Sequence, residues 1–341
     1  MSRLLPSAVQ QAEMNPSPLR VDGLVAAVYS PFASDGTLNL TVVPLQHRYL
    51  AQTGVEWAFV GGTTGESLSL TVAERKSLLE AWANTSTRLI AHCGAEALGD
   101  ARELAAHAAA VGVAAVAAMP PTFFKPASAD ALALTIASIC SAAPSKPCYY
   151  YHIPSMTGVA TTFTMLDFVR AIEPRSPNFA GIKYTGMYTY PGMMDAEKVL
   201  NYREGKFEVF SGREEMMLQA LSIGIKGHVG SQFNFAGDLY NRLRTGFARS
   251  GLTPATETRL RGLQALAVQL VDAWHDNSPT GVNGAKYLMN LAGVPVGDAR
   301  LPSLPVASAA AKLRAARDHF CRGTAASQEL MLCARGAWHV S

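Results

Sequence analysis

From residue 23 to about residue 250 the chain alternates short apolar, β-branched or aromatic runs with longer segments of helical period, and no other feature restricts its fold as much. The strand-like runs are 23–31, 57–62, 88–94, 114–120, 147–154, 179–185, 207–212 and 227–233. Helical segments fill the gaps. Thr71-x-x-Glu74 and Asp100-x-x-Glu103 match capping boxes, Thr41 precedes a run with Pro44 in its first turn, and Gly54 and Gly112 stand where helices should stop. Eight strands, each followed by a helix, predict a closed (β/α)8 barrel rather than an open doubly wound sheet, although buried parallel strands read alike in both. The pattern predicts a tail over 1–20, the barrel over 21–250, a helical extension over 251–320, and a loose tail over 321–341.

Composition narrows the partners. Charged residues are only 16% of the 341, and the net charge of +3 is spread without a basic run, which argues against nucleic acid. Residues 1–20 hold no continuous apolar stretch, and no run of eighteen apolar residues occurs, so neither a signal peptide nor a membrane span is expected. The five cysteines, Cys93, Cys140, Cys148, Cys321 and Cys333, form no Cys-x-x-Cys pair. They read as reduced thiols of a cytoplasmic protein. His92, His152 and His228 sit on separate strands without companion ligands, so no metal site is expected.

In such a barrel the chemistry lies at the C-terminal ends of the strands. On the sixth run, Gly181-Ile182-Lys183-Tyr184-Thr185 sets a lysine in an apolar stretch. It is either a snorkelling or salt-bridged side chain or a nucleophilic amine. An ordinary lysine has a pKa of about 10.4, so an amine that is to attack must first lose its proton, and an apolar barrel interior favours the neutral form.

The second run ends in Gly61-Gly62-Thr63-Thr64-Gly65-Glu66. Its glycines and paired hydroxyls suit a turn that offers N–H and O–H donors to a carboxylate, or merely a tight turn. A phosphate loop would need lysine where Glu66 stands. The fifth run, Cys148-Tyr149-Tyr150-Tyr151-His152-Ile153-Pro154, sends Tyr149 and Tyr151 to one side and Tyr150 and His152 to the other. A tyrosine at that strand end could relay protons to an amine. The seventh run leads through Gly212 and Arg213 to Glu214 and Glu215, and the eighth through Gly230 to Ser231. Paired acids at a helix start serve the macrodipole or accept hydrogen bonds from a hydroxylated substrate, and residue types leave both open.

Three motifs in order, Gly62-Thr63-Thr64-Gly65-Glu66, Tyr151-His152-Ile153-Pro154 with Thr157-Gly158 behind it, and Gly181-Ile182-Lys183, make residues 23–291 resemble the pyruvate-dependent Schiff-base aldolases, the family of N-acetylneuraminate lyase and dihydrodipicolinate synthase. The resemblance implies Lys183 as the imine-forming amine, Tyr151 as proton shuttle, and Thr63 and Thr64 as ligands of the pyruvate carboxylate. Dihydrodipicolinate synthases carry an arginine where this chain has Met156, and a relay tyrosine where it has Phe123. The second-substrate region is closer to the sialic acid lyases, which implies sugar contacts by Thr185, Gly212, Glu214, Glu215 and Ser231. It implies cleavage of N-acetylneuraminate to N-acetylmannosamine and pyruvate by a homotetramer that needs no cofactor or metal. Arg213 has no place in the family pattern. Alternatives are an aldolase or dehydratase for a 2-keto-3-deoxy sugar acid, a dihydrodipicolinate synthase, and a barrel that binds a keto acid without turning it over.

Overall fold

The structure is a computed structural model, described here for residues 16–159, 162–275, 282–303, 306 and 309–333. The first fifteen and last eight residues of the expected tails lie outside these. Eight strands, β1 (Gly23–Ala27), β2 (Trp57–Val60), β3 (Arg88–His92), β4 (Ala115–Ala118), β5 (Cys148–His152), β6 (Phe179–Tyr184), β7 (Glu208–Ser211) and β8 (Gly227–Gly230), follow one another around a closed barrel in sequence order. Each falls inside its expected run and is shorter than it. The runs overshoot because their C-terminal residues leave the ladder, as at Pro31, Pro120 and Pro154, which have no N–H to donate.

The chain forms two compact units. One contains Val21–Leu89 and Ser211–Ser341, the other Ile90–Phe210 with the segment ending at Arg20. In the first, β1 pairs in parallel with β2 and β8, with Val25 opposite both Trp57 and Val229. In the second, β3, β4, β5 and β6 form a parallel ladder with Ile90 opposite Ala115, Val116 opposite Cys148 and Tyr151 opposite Lys183.

The helix Val72–Ala83 opens with the expected capping box: Thr71 Oγ1 accepts from Glu74 N at 3.2 Å while Glu74 Oε2 accepts from Thr71 N at 2.9 Å. The second expected box is corrected. Leu98–Val111 starts behind Ala97, so Asp100 lies inside the first turn, where its charge meets the positive end of the macrodipole. Thr41 sits in the 3₁₀ turn Leu40–Val42 ahead of the helix Val43–Gln52, which holds Pro44 in its first turn. Gly112 ends its helix at φ 88°, a conformation that costs glycine nothing.

Residues leading into β1 are fastened. Tyr149 Oη donates to Glu208 Oε2 at 2.6 Å, the same oxygen accepts from Arg20 N at 2.9 Å, and Leu19 N donates to Tyr149 Oη at 2.8 Å.

After β8, the helices Phe233–Ser250, Glu257–His275, Val282–Leu291 and Ala310–Gly323 follow. Gly246 lets the first two approach, since a Cβ there would lie 2.9 Å from Leu260 Cδ2. The segment from Cys321, expected to be loose, has regular structure among its described residues, 321–333. It continues the last helix, adds the helix Ala325–Gln328, and returns so that Met331 N donates to Asp238 Oδ2 at 2.8 Å.

The expectation of five reduced thiols is overturned. Cys140 is bonded to Cys148 and Cys321 to Cys333, with Cα–Cα distances of 5.7 and 5.3 Å, and buried Cys93 stands outside both pairs. Cys140 ends the helix Ala129–Cys140 and Cys148 begins β5, so only the helix-to-strand return makes them neighbours. Among the described residues no helix is long and apolar enough to cross a membrane, and no group of three or more His, Cys, Asp or Glu side chains could hold a metal ion.

Two outcomes follow. Alkylation of the denatured, unreduced protein will modify one thiol per chain, read by intact mass, and five after reduction; five without reductant contradicts the pairing. A Cβ at Gly181 would sit 1.9 Å from the carbonyl oxygen of Glu208, whereas nothing lies within 4 Å of one at Gly262, an exposed helical position. Gly181→Ala will therefore cost about 1–3 kcal/mol or more by denaturant unfolding, while Gly262→Ala will be neutral or stabilising by up to about 1 kcal/mol.

Candidate active site

In the unit spanning Ile90–Phe210, the aromatic strand β5 divides by face. Tyr150 packs at a tilt against Phe168, 4.7 Å between centroids, and His152 likewise against Tyr184 at 4.8 Å. Burial pushes the His152 imidazole down to about 4, so it is neutral and packs as an aromatic ring. Tyr149 belongs to the network that holds Leu19 and Arg20. Its phenol is pushed well above the ordinary range, first by burial and then by the neighbouring Glu208 charge, so it remains a hydrogen-bonded O–H.

Tyr151 remains. The parallel register sets it opposite Lys183, whose Nζ lies 3.8 Å from the Tyr151 ring centroid. Lys183 is only 4% exposed and Tyr151 3%. The lysine that stood out in the sequence is thus withdrawn from water, against the face of the phenol proposed to exchange protons with it. On β3, His92 meets the Tyr151 ring edge-on at 5.8 Å and 90°, and its Nε2 accepts from Met119 N at 3.3 Å, which in a neutral ring leaves the proton on Nδ1. Sequence reasoning considered His92 only as a metal ligand. Its place at the last residue of β3 was the available signal.

Thr185 is buried, and both its Oγ1 and its N donate to the carbonyl of His152, at 2.8 and 3.0 Å. Its hydroxyl ties the ends of β5 and β6 together. The loop after β4 presents Phe123, 80% exposed, edge-on to Phe124. Glu96 holds that loop: its carboxylate accepts from Thr122 N at 3.0 Å, Phe123 N at 3.1 Å, and the Thr122 hydroxyl. Burial works to raise the Glu96 carboxyl, but these donors bring it below the ordinary range.

In the other unit, the turn after β2 is built by short backbone contacts. Gly61 takes φ 70°, Glu66 N donates to Thr63 O at 2.9 Å, Ser67 N to Gly62 O at 3.2 Å, and Ser30 Oγ to Gly65 O at 2.6 Å. Thr63 and Thr64 are half-buried at its crest. Gly65 leaves little room for a side chain, its Cβ position being 3.1 Å from the Val28 carbonyl oxygen. Glu66, used in the sequence only to dismiss a phosphate loop, adopts φ 53° and forms a buried ion pair with Lys286 at 2.9 Å.

The acid pair and the β8 turn of this unit come together at Glu214. Its Oε1 accepts from Ser231 Oγ at 3.0 Å and Gln232 N at 2.9 Å. Gly230 makes the approach possible, since a Cβ there would be 2.3 Å from Glu214 Cγ. Burial first, and the Glu215 charge second, raise the Glu214 carboxyl, opposed by the hydrogen bonds from Gln232 and Ser231. Glu215 is paired with Arg213 at 3.9 Å, which gives that arginine a partner two residues away. Gln264, on Glu257–His275, donates to Glu215 O at 2.7 Å and accepts from Leu218 N at 2.8 Å, fixing the segment beyond Gly212. That role was invisible in the sequence, because the contacts span nearly fifty residues.

Residues 20–317 match the model of the dihydrodipicolinate synthetase family. The chain is 36% identical over 312 residues to the N-acetylneuraminate lyase of Danio rerio, covering 89% of this chain and 98% of that protein. It is 36% identical over 290 residues to that of Gallus gallus, covering 83% and 90%. Its fold resembles the Proteus mirabilis N-acetylneuraminate lyase with a TM-score of 0.78 at 32% identity, covering 87% of this chain and 98% of that one. The sialic acid aldolase of Aliivibrio salmonicida gives 0.78 at 31%, covering 87% and 97%. With its closed barrel and its buried Lys183 beside Tyr151, the chain belongs to the dihydrodipicolinate synthetase family.

Proposed function

We propose that the protein is a class I aldolase that cleaves N-acetylneuraminate to N-acetylmannosamine and pyruvate through an imine on Lys183. The observation that carries this is the Lys183 amine, buried and lying over the ring of Tyr151. The choice of sugar acid rests on relatives named N-acetylneuraminate lyase that match over nearly their whole length. Met156 and Phe123, where dihydrodipicolinate synthases have arginine and tyrosine, count against that activity.

In this reading the neutral Lys183 amine attacks the C2 ketone of the open-chain sugar acid. Water leaves from the carbinolamine with a proton from Tyr151, giving a protonated imine and a phenolate. The phenolate takes the C4 hydroxyl proton, the C3–C4 bond breaks, and its electrons pass into the imine to form an enamine while C4 departs as the aldehyde of N-acetylmannosamine. Tyr151 returns the proton to C3. Water then adds to the iminium carbon with Tyr151 taking up its proton, and collapse of the carbinolamine releases pyruvate and the free amine. Thr63 and Thr64 hold the carboxylate. Thr185, Gly212, Glu214, Glu215 and Ser231 serve the sugar, with Glu214 acting through Ser231, which it already holds. We further propose that the protein works as a homotetramer, as the family resemblance implies. The two disulfides remove the support that reduced thiols would lend to a cytoplasmic location.

Borohydride added with pyruvate will trap a covalent adduct on Lys183, read by mass spectrometry of peptides, and Lys183→Ala will show neither adduct nor cleavage. Cleavage by that variant, or no adduct in the parent, refutes the mechanism. Tyr151→Phe keeps the ring face and loses the hydroxyl; its kcat will fall about 10²–10⁴-fold. In a panel of 2-keto acids, pyruvate release from 2-keto-3-deoxygluconate but not from N-acetylneuraminate would replace the proposed substrate.

A further inference from the structure

The Thr63–Thr64 turn is held from the far end of the chain. Glu66, next but one after Thr64, sits in the left-handed region, which a non-glycine residue keeps only where its surroundings enforce it. Both of its carboxylate oxygens are engaged: Oε1 accepts from Lys286 Nζ at 2.9 Å and Oε2 from Arg300 N at 2.8 Å. Lys286, in the helix Val282–Leu291, is 0% exposed at its side chain. Its ammonium has three donors, and all are used: Glu66 Oε1, Ser30 O at 2.9 Å and Asp298 O at 2.9 Å. Ser30 in turn donates from Oγ to Gly65 O at 2.6 Å, so Lys286 reaches the turn both at Glu66 and, through Ser30, at Gly65.

Arg300 secures the descending side. Beyond its backbone bond to Glu66, its Nη1 donates to Ser69 O at 3.0 Å and to Glu74 Oε2 at 3.1 Å, and its Nε to Gly36 O at 2.9 Å. Glu74 is the residue that closes the capping box with Thr71. The Lys286 Nζ and the Arg300 guanidinium both lie over the Phe32 ring, at 4.2 and 4.4 Å.

We propose that Glu66, Lys286 and Arg300 are positioning residues for keto-acid binding: a buried clamp through which the segment 282–300 sets the crest of the Thr63–Thr64 turn for a carboxylate. This rests on the reading of those threonines as carboxylate ligands. It assigns a part in substrate binding to residues that touch no substrate, and to a region that the sequence presents only as a helical extension.

The test is the pyruvate concentration that gives half-maximal borohydride trapping on Lys183, measured beside the trapping rate at saturation and the thermal midpoint. The variants are Glu66→Gln, Lys286→Met, the Glu66→Gln/Lys286→Met double, Arg300→Ala, and Thr64→Val. Lys286→Met will raise the half-saturating concentration about tenfold or more, while the saturated rate stays within threefold at a temperature where the variant is folded. The double variant, which buries no unpaired charge, will recover thermal stability and still need at least fivefold more pyruvate. A merely structural clamp would recover both together. If Lys286→Met does not fold, Arg300→Ala, altered only at the half-exposed guanidinium, will show the same split with a smaller rise. Parent-like half-saturation in the double variant and in Arg300→Ala, with Thr64→Val weakened, overturns the clamp alone. Parent-like half-saturation in Thr64→Val overturns the carboxylate reading, and the clamp's function with it.

Discussion

A lysine can be withdrawn from water only where its neighbours are arranged for it, and the pairing of β5 with β6 is that arrangement for Lys183. Cα partnership sets Tyr151 opposite Lys183, and the two-residue period of each strand sends Tyr150 and His152 elsewhere. A slip of one residue would reverse the parity and put the amine beside packing aromatics. Gly181 protects that register, because the backbone of β6 at this point approaches the Glu208 carbonyl too closely for any side chain. The motif Gly-Ile-Lys is therefore one physical unit: the glycine permits the approach, and two residues on, at the same parity, the lysine faces the phenol. The ring also has two uses. Its hydroxyl can move protons, and its face, 3.8 Å from the nitrogen, favours a positive charge by about 0.5–2 kcal/mol. In the proposed cycle the nitrogen becomes positive when the imine forms, so the ring face favours the electron sink on which bond cleavage depends.

Local information was enough for the barrel, and for singling out Lys183 and Tyr151, which the structure brings together. Apolar periodicity locates all eight strands because burial between helices is a property of each run by itself. Lys183 and Tyr151 could be selected because a polar residue near the end of a buried strand stands out against that pattern. What could not be read was whatever depends on residues meeting from far apart. Glu66 finds Lys286 and Arg300 more than two hundred residues later, Gln264 reaches back to Glu215 and Leu218, and His92 meets Tyr151 across β4. The cysteine pairs failed for the same reason, since an odd count with no short motif conceals two bonds that exist only once helix and strand have folded together. The misplaced capping box is a different error. Asp100-x-x-Glu103 has suitable residue types, but the helix had already begun at Leu98, and an acid in the first turn is as stable there as a cap would be.

The acid pair has a use beside the two alternatives that sequence offers: Glu214 Oε1 accepts two hydrogen bonds from the β8 turn. Gly230 and Glu214 are matched, since the glycine exists to let the carboxyl lie against the strand end. Burial and the Glu215 charge both penalise ionisation of Glu214, while the Gln232 and Ser231 donors favour it. Arg213, whose purpose the sequence does not reveal, pairs with Glu215.

Two lysines of this chain are withdrawn from water, and they cannot serve the same purpose. Lys286 donates to one carboxylate and two carbonyls, so each of its three hydrogens is committed and its nitrogen has no lone pair to offer. Burial tends to lower its pKa, but the Glu66 and Asp298 contacts resist, and loss of its proton would leave a buried carboxylate uncompensated. Such an amine holds structure together. Both nitrogens lie over an aromatic ring, Phe32 for Lys286 and Tyr151 for Lys183, but only the second ring carries a hydroxyl, and Lys183 stands on a strand of the barrel, near the end where this fold places chemistry. Burial alone thus identifies neither a nucleophile nor a strut. The distinction we propose lies in what surrounds the nitrogen: a lysine on a strand with a tyrosine across the ladder forms the imine, and a lysine on a helix bonded to one carboxylate and two carbonyls braces the Thr63–Thr64 turn.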